Sequence, residues 1–346
     1  MDIRLENVLE YEQPTKYIVK SENYSDDFAL PVLTAGKSFV LGFTDETDGI
    51  CKASESPVII FDDFTADCKY VDFDFKVKSS AMKILHKANT EDNLKYYFYA
   101  MQAIDYTPFS HKRVWISEYS KFKIKNRSIA EQNNIVKELD TVATAIDNAK
   151  QRLNALDELV KSRFIEMFGD IRISSIFPNI ALENFAQIGS SKRVHAADYV
   201  ESGVPFYRSK EIIELGNGQE PSVELFISKK QYESIKKTNG VPCKGDILMS
   251  AVGTIGKMWI VDGRKDFYYK DGNIISIHSE ETNPIYLKEA LANLIDDFKS
   301  ANVAGSAYSA LTIVKLKKMT VPMPPMSIQN EFADFVKLID KSKFVG

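Results

Sequence analysis

The segment Pro31-Val-Leu-Thr-Ala-Gly-Lys-Ser38 ends in the Gly-Lys-Ser of a nucleotide-binding loop. Such a loop needs a glycine five residues ahead of its Gly-Lys-Ser and a helix behind it, so that N–H groups surround the phosphates. Proline stands at that place here, and Phe39-Val-Leu-Gly-Phe43 is strand-forming, so ATP chemistry is set aside. Asn283-Pro-Ile-Tyr286 falls one residue short of the Asn-Pro-Pro-Tyr that grips an adenine amino group. Asn283 and Pro284 suit the N-cap and first position of a helix better. Asp62 or Asp63 with Asp74-Phe-Lys76 could hold a divalent metal for nuclease chemistry, but strand pairs of this kind arise readily by chance. His86, His111, His195 and His278 are scattered, and Cys51, Cys68 and Cys243 form no CxxC, which removes triads, zinc and disulfides. No catalytic or metal set emerges.

The elements that would position other chemistry are clearer. Ile135, Leu139, Val142, Ile146, Ala149, Leu153, Leu156 and Val160 recur at spacings of four and three, the seam of a coiled coil. Ser128-Ile-Ala-Glu131 has the form of a capping box and Gly169 supplies a stop. The helix between them is roughly 40 residues, or about 60 Å. With 346 residues, 44% hydrophobic and 27% charged, the chain has room for two cores besides this rod. No run approaches a membrane span, and a cytoplasmic location is expected.

What flanks the helix repeats. Setting Gln132 of Ser-Ile-Ala-Glu-Gln-Asn-Asn-Ile-Val against Gln329 of Pro-Pro-Met-Ser-Ile-Gln-Asn-Glu-Phe also pairs Ile124 with Val321, Ile135 with Phe332, Leu139 with Val336 and Val142 with Ile339. Residues 1–127 and 171–326 share one texture of short strands broken by Gly, Pro and Asn, with single helices near Asp92–Ala103 and Ile285–Phe298. Strands are expected at Val58–Phe61, Val71–Val77, Asp246–Ser250, Lys257–Val261 and Gly272–Ile277. The fold class is α+β: two β-rich lobes separated by a long coiled-coil helix at 128–170, with the start of a second such helix at 327–346.

The order of lobes and junctions, with the helix ending in Phe164-Ile-Glu-Met-Phe-Gly-Asp170, resembles the specificity subunit of a type I restriction–modification system over nearly the whole chain. The resemblance implies that residues 1–127 and 171–326 are target recognition domains, each reading one half of a split, asymmetric DNA target. It implies helices that pack antiparallel, set the gap and dock methyltransferase subunits, with a restriction and translocase subunit joining them. The subunit would be non-catalytic and hold no cofactor, S-adenosylmethionine, ATP and Mg belonging to its partners. A coiled-coil assembly scaffold that reads no DNA is the alternative.

Candidate DNA contacts follow from residue type, since Arg forks onto guanine, Asn onto adenine, and hydroxyls and Lys onto phosphate. In the first lobe these are Thr34, Lys37 and Ser38, then Lys76 and Lys78, then Lys112 and Arg113. A solvated turn lysine is the other reading of Lys37. In the second lobe they are Ser191, Lys192 and Arg193; Tyr207, Arg208 and Lys210; and Ser250, Thr254 and Lys257. Tyr268, Tyr269, Lys270 and Asn273 follow, and Ser306 and Tyr308 lie in a small-residue loop that a plain turn explains equally.

Net charge is −4, which argues against indiscriminate coating of nucleic acid. Lys and Arg outnumber Asp and Glu only in residues 171–346, by 22 to 20. The second helix departs from the family pattern: its heptad reaches Lys343 and the sequence stops at Gly346. Ile146 through Val160 are therefore expected to present an apolar seam, covered by a methyltransferase subunit or by self-association.

Overall fold

The computed structural model describes every residue except 36–37, 110–111, 171–173, 303–310 and 344–346. The chain divides into two units, Met1–Asn148 and Ala149–Gly346.

In the first unit, β1 (Asp2–Arg4) opens the chain, followed by β2 (Leu9–Glu12), β3 (Leu30–Leu33), β4 (Val40–Thr44), β5 (Val58–Asp62), β6 (Cys68–Val71), β7 (Lys76–Val77) and β8 (Met82–Lys87). Helix α1 (Leu94–Gln102) and β9 (Lys123–Lys125) complete it before α2 (Ile129–Phe168), which continues into the second unit. The central sheet has the order β2-β8-β5-β6, all antiparallel. Val58-Ile-Ile-Phe61 is continuously apolar because both faces of β5 are buried. Side chains alternate along a strand, so Ile59 and Phe61 enter one core with Leu94, Tyr97 and Trp115. Val58 and Ile60 enter another with Leu33, Phe75 and Val77. That second core is closed by the sheet β4-β3-β7, where β3 pairs parallel with β7.

The second unit contains β10 (Gly169–Asp170) and β11 (Ser174–Ser175) as a short pair, then β12 (Asn179–Ala181), β13 (Gln187–Gly189), β14 (Tyr199–Val200) and β15 (Val204–Tyr207). Next come α3 (Ser209–Gly216), β16 (Phe226–Ile227), α4 (Lys229–Asn239), β17 (Ile247–Ser250), β18 (Met258–Ile260), β19 (Tyr268–Tyr269) and β20 (Ile274–His278). Helices α5 (Pro284–Asn302) and α6 (Ile313–Lys318), strand β21 (Thr320–Pro322) and α7 (Met326–Lys343) complete it. Its central sheet, β13-β20-β17-β18, repeats the plan. Ile247, Met249, Ile275 and Ile277 face α5, α7 and the end of α2, while Leu248 and Ile274 face Phe206, Ile212 and Tyr232. A second sheet, β14-β16-β15-β19, again ends in a parallel pair, β15 with β19.

The two units are one design in atomic detail. Strand β9 pairs with β1 as β21 pairs with β12, and each first strand is followed by a turn of identical sequence, Leu-Glu-Asn, at 5–7 and 182–184. Asn93 caps α1 by accepting from Lys95 N at 3.0 Å, and Asn283 caps α5 by accepting from Ile285 N at 2.9 Å. Gln132 Oε1 accepts from Asn93 N at 2.9 Å while its Nε2 donates to Arg127 O at 3.1 Å. Gln329 does the same with Asn283 N at 2.8 Å and Pro324 O at 2.9 Å. Asn93 Nδ2 donates to Asn133 and Asn283 Nδ2 to Asn330, both at 2.8 Å.

Helix α2 starts on its capping box, with Ser128 N donating to Glu131 at 2.9 Å, and Gly169 follows it at φ +84°. Within the second unit α7 runs antiparallel to the end of α2. Asp157 meets Lys343 at 2.8 Å, Arg163 meets Glu331 at 3.3 Å, and Phe164 and Phe168 pack on Phe332. This corrects the expected seam: α7 covers Val160 and partly covers Leu156, while Ile135 is half-buried beside buried Val136 in the first unit. Leu139, Val142, Ile146 and Leu153 are exposed. A second correction concerns Val71–Val77, expected as one strand. The Asp74 carboxylate accepts from Ser54 N at 3.2 Å and Ser54 Oγ at 2.6 Å, and the chain leaves β6 there to join a different sheet at β7.

Candidate nucleic-acid interface

Among the described residues, the carboxylates set aside for catalysis and the Asn283–Tyr286 segment have structural occupations. Pro31-Val-Leu33 and Val40 onward form a hairpin, closed by Thr34 N to Phe39 O at 2.9 Å and Thr34 Oγ1 to Ser38 O at 2.7 Å. Lys37 lies outside the described residues. Asp62 Oδ1 accepts from Phe64 N and Thr65 N, and Asp63 Oδ1 from Val114 N and Trp115 N, so both carboxylates organise loops. Tyr286 is buried, its hydroxyl donating to Pro322 O at 2.5 Å. Burial pushes that hydroxyl's pKa upward. Among the described residues no cluster of His, Cys, Asp and Glu could hold a metal, and no helix is long and apolar enough to cross a membrane.

The candidate contacts divide by accessibility. Lys76 is 1% exposed and cannot reach a duplex: its ammonium lies 2.8 Å from Glu46 Oε2 and donates to Asp48 O at 2.6 Å. Both residues of β7, Lys76 and Val77, are buried, so this candidate contact is withdrawn. Tyr207 is buried against Phe267, and Ser250 is buried as the lock of a turn, its Oγ donating to Thr254 O at 2.5 Å and accepting from Lys257 N at 3.0 Å. Both shape loops and do not face a ligand. Lys78 pairs with Glu22 and lies 5.9 Å from the Tyr24 ring. Lys112 and Arg113 are exposed, Arg113 donating to Ser80 O at 3.2 Å.

In the second unit the fold gathers several candidates around one cleft of about 500 Å³. Gly189-Ser-Ser-Lys192 forms one wall and residues 239–243 contribute another. Tyr268 and Tyr269 are buried in its floor, where Tyr268 Oη accepts from Lys192 N at 2.7 Å. Ser191 Oγ is buried there without a hydrogen-bond partner, and His278 Nδ1 lies 2.7 Å from Asp246 Oδ1. Lys192 has no carboxylate partner among the described residues, whereas Arg193 is held by Asp271 at 2.7 Å.

Arg208 and Lys210 are tied together through Glu224, each at 2.9 Å, and the Arg208 pKa is raised by Glu211 first and by Glu224 second. Lys257 lies outside this cleft, in a smaller one of about 340 Å³ that also contains Asp157, Asp296 and Asp340. Thr254 is exposed, and Lys270 and Asn273 are half-buried around β19 and β20. Ser306 and Tyr308 lie outside the described residues. The sequence reading overlooked the lysines of α4, whose signal was Lys-Lys repeated seven residues apart at 229–230 and 236–237. Asn283 was legible as a helix cap, but its counterpart Asn93 and the hydrogen bonds that tie both to Gln132 and Gln329 were not.

Glu46 yields a pH prediction. The Lys76 ammonium first, then the Ser21 and Lys20 amides, hold its carboxyl below the ordinary glutamate value of 4.5. A depressed folded pKa stabilises the first unit above the unfolded pKa, and that stabilisation is lost as pH falls through the folded value. Glu46→Gln is expected to lower the melting temperature at neutral pH and to flatten its decline below about pH 4.5. Parallel declines in the two proteins between about pH 3 and 7 would assign the acid sensitivity elsewhere.

Two β-rich units on a repeated frame share one long helix. Residues 177–344 match the family described as type I restriction modification DNA specificity domain. The specificity subunit of the Escherichia coli type I restriction enzyme EcoR124I/EcoR124II is 47% identical over 162 residues, 43% of this chain and 40% of that subunit. A Haemophilus influenzae chain described as a type I restriction enzyme specificity subunit is 24% identical over 298 residues, 82% of this chain and 74% of that one. The crystal structure of the type I restriction–modification S subunit from M. genitalium shares the fold, with TM-score 0.56 and 15% identity, covering 99% of this chain and 90% of that one. The chain is thus similar to type I restriction–modification specificity subunits, the match to their DNA specificity domain lying at residues 177–344.

Proposed function

We propose that this chain is the non-catalytic, sequence-reading subunit of a type I restriction–modification complex, and that each unit reads one half of a bipartite, asymmetric DNA target. The observation that carries the reading is the duplication itself: one frame of sheet, capped helix and glutamine clamp, built twice, bears outer loops of unrelated sequence. Two reading heads with different loops call for two unlike half-sites. Helix α2 runs through both units without a break, and its length would set the gap in the DNA target.

The exposed Leu139, Val142, Ile146 and Leu153 offer methyltransferase subunits an apolar dock, self-association being the competing use of the same residues. S-adenosylmethionine, ATP and Mg would be held by the modification and restriction subunits, whose combined work is defence against foreign DNA in the cytoplasm. A scaffold that only joins proteins would need the helix but not two elaborate heads.

Methylome sequencing of the host with the gene intact and deleted tests this. Deletion is expected to erase one adenine-methylated motif with two unlike halves and a fixed gap. Loss of a palindromic motif would mean that one unit acts through a dimer. An unchanged methylome in a strain that expresses the locus would leave the scaffold reading in possession.

A further inference from the structure

Helix α4 presents Lys229, Lys230, Lys236 and Lys237 on its surface, and none has a carboxylate within ion-pair distance among the described residues. At 3.6 residues per turn the four fall within an arc of about 120°. Tyr232 and Ile235 take the opposite side into the core beside Phe206 and Tyr268. Lys236 lies 5.9 Å from the Tyr232 ring, at the edge of that arc. The cationic face therefore lies away from a packed aromatic and has no carboxylate partner among the described residues. Arg193, Arg208 and Lys210, in the same unit, are all engaged by carboxylates.

Helix stability does not explain this pattern. Lys229 and Lys230 occupy the first turn, behind the Ser228 N-cap that accepts from Gln231 N at 3.2 Å. The positive end of the helix dipole makes that turn unfavourable for cations, and acidic residues are the stabilising choice. Lys236 and Lys237 at the other end are favourably placed, yet all four point into solvent where they repel one another. Its last residue, Asn239, and the following residues 240–243 line the 500 Å³ cleft together with Lys192, which has no carboxylate partner among the described residues. The lysine face thus leads into the place where the candidate contacts gather.

We propose that α4 lies along the sugar–phosphate backbone of a DNA duplex and supplies the sequence-neutral grip of the second unit through Lys229, Lys230, Lys236 and Lys237. This rests on the DNA-reading function above and assigns the grip within it. A helix of 11 residues is about 16 Å long, enough to follow about five nucleotides of one strand at a rise of 3.4 Å. Each lysine can then meet one phosphate. Lysine suits the role because an ammonium binds phosphate as a point charge and discriminates little between bases.

The test is the salt dependence of binding by the full chain to a fluorescein-labelled random-sequence duplex of about 30 base pairs. Neutralising all four with Lys229→Gln, Lys230→Gln, Lys236→Gln and Lys237→Gln is expected to flatten the slope of log K against log salt by about 2 to 4, since each phosphate contact contributes ~0.9. A control with the same charge change, Lys69→Gln, Lys123→Gln, Lys137→Gln and Lys341→Gln, removes exposed lysines from other elements and is expected to keep the wild-type slope. An unchanged slope in the α4 variant, or an equal loss in the control, overturns the proposal. A wild-type chain that shows no salt-dependent binding at all overturns the DNA-reading function, and this assignment with it.

Discussion

Phe168→Ala is expected to destabilise the second unit by about 3–5 kcal/mol. Phe168 is the last residue of α2 and is fully buried, with ring centroids 4.8 Å from Phe164, 4.8 Å from Tyr286 and 5.3 Å from Phe332. These rings come from α2, α5 and α7, so one side chain packs against three helices that are distant in sequence. Truncation removes the buried ring and leaves a void that close-packed aromatics cannot collapse to fill. The edge-on pairings, at 64° to Tyr286 and 80° to Phe332, contribute beyond area alone.

The chain has two tryptophans, Trp115 in the first unit and Trp259 in the second. Fluorotryptophan NMR during denaturant titration therefore reports each unit separately. The Trp259 transition should move to lower denaturant while the Trp115 transition stays. A cost under about 1 kcal/mol would show that α2 is held to the second unit by something other than this cluster.

Gln329→Leu is expected to cost about 2–4 kcal/mol by the same measurement, and Gln132→Leu a similar amount in the first unit. Leucine preserves the volume and most of the apolar contact. What is lost is a bridge: the Asn283 N–H and the Pro324 carbonyl are both left without their partner, each paying the desolvation cost of an orphaned buried group. In the first unit the stranded groups are the Asn93 N–H and the Arg127 carbonyl. Because the two clamps share geometry, their costs should agree within about 1 kcal/mol, each reported by the tryptophan of its own unit. One costly and one neutral substitution would mean that the duplication is maintained in shape but not in energetics.

Much of the architecture was open to a reading of the chain alone. The heptad from Ile135 to Val160, the Ser128–Glu131 box and Gly169 specify one long helix through local rules of period and capping, which need no knowledge of neighbours. The pairing of Gln132 with Gln329 was visible because a clamp that serves the same carbonyl and amide geometry twice must keep the same residue at the same distance from its strand. The β-rich character of both units was likewise carried by β-branched and aromatic runs such as Val58-Ile-Ile-Phe61.

The functional surface was legible only in part. Residue type says what a side chain could bind, but access depends on which face of which sheet the residue joins. Lys76 was misread because nothing local reveals that β7 adds to β3 in a second layer, with Glu46 waiting to neutralise the ammonium. Tyr207 and Ser250 carry the chemistry of DNA contacts, yet the fold spends them on a stacked ring and a locked turn. The lysines of α4 were passed over for the converse reason: lysine pairs are common on solvated helices, and only packing shows that Tyr232 and Ile235 turn the other side inward and that no carboxylate among the described residues answers the four. Short-range periodicity and capping act between residues a few positions apart, so the sequence by itself determined the helix, the repeat and the class of fold. Exposure, ion pairing and the gathering of Ser191, Lys192 and Tyr268 around one cleft depend on segments scores of residues apart, so tertiary structure alone decided which side chains remain free to meet a ligand.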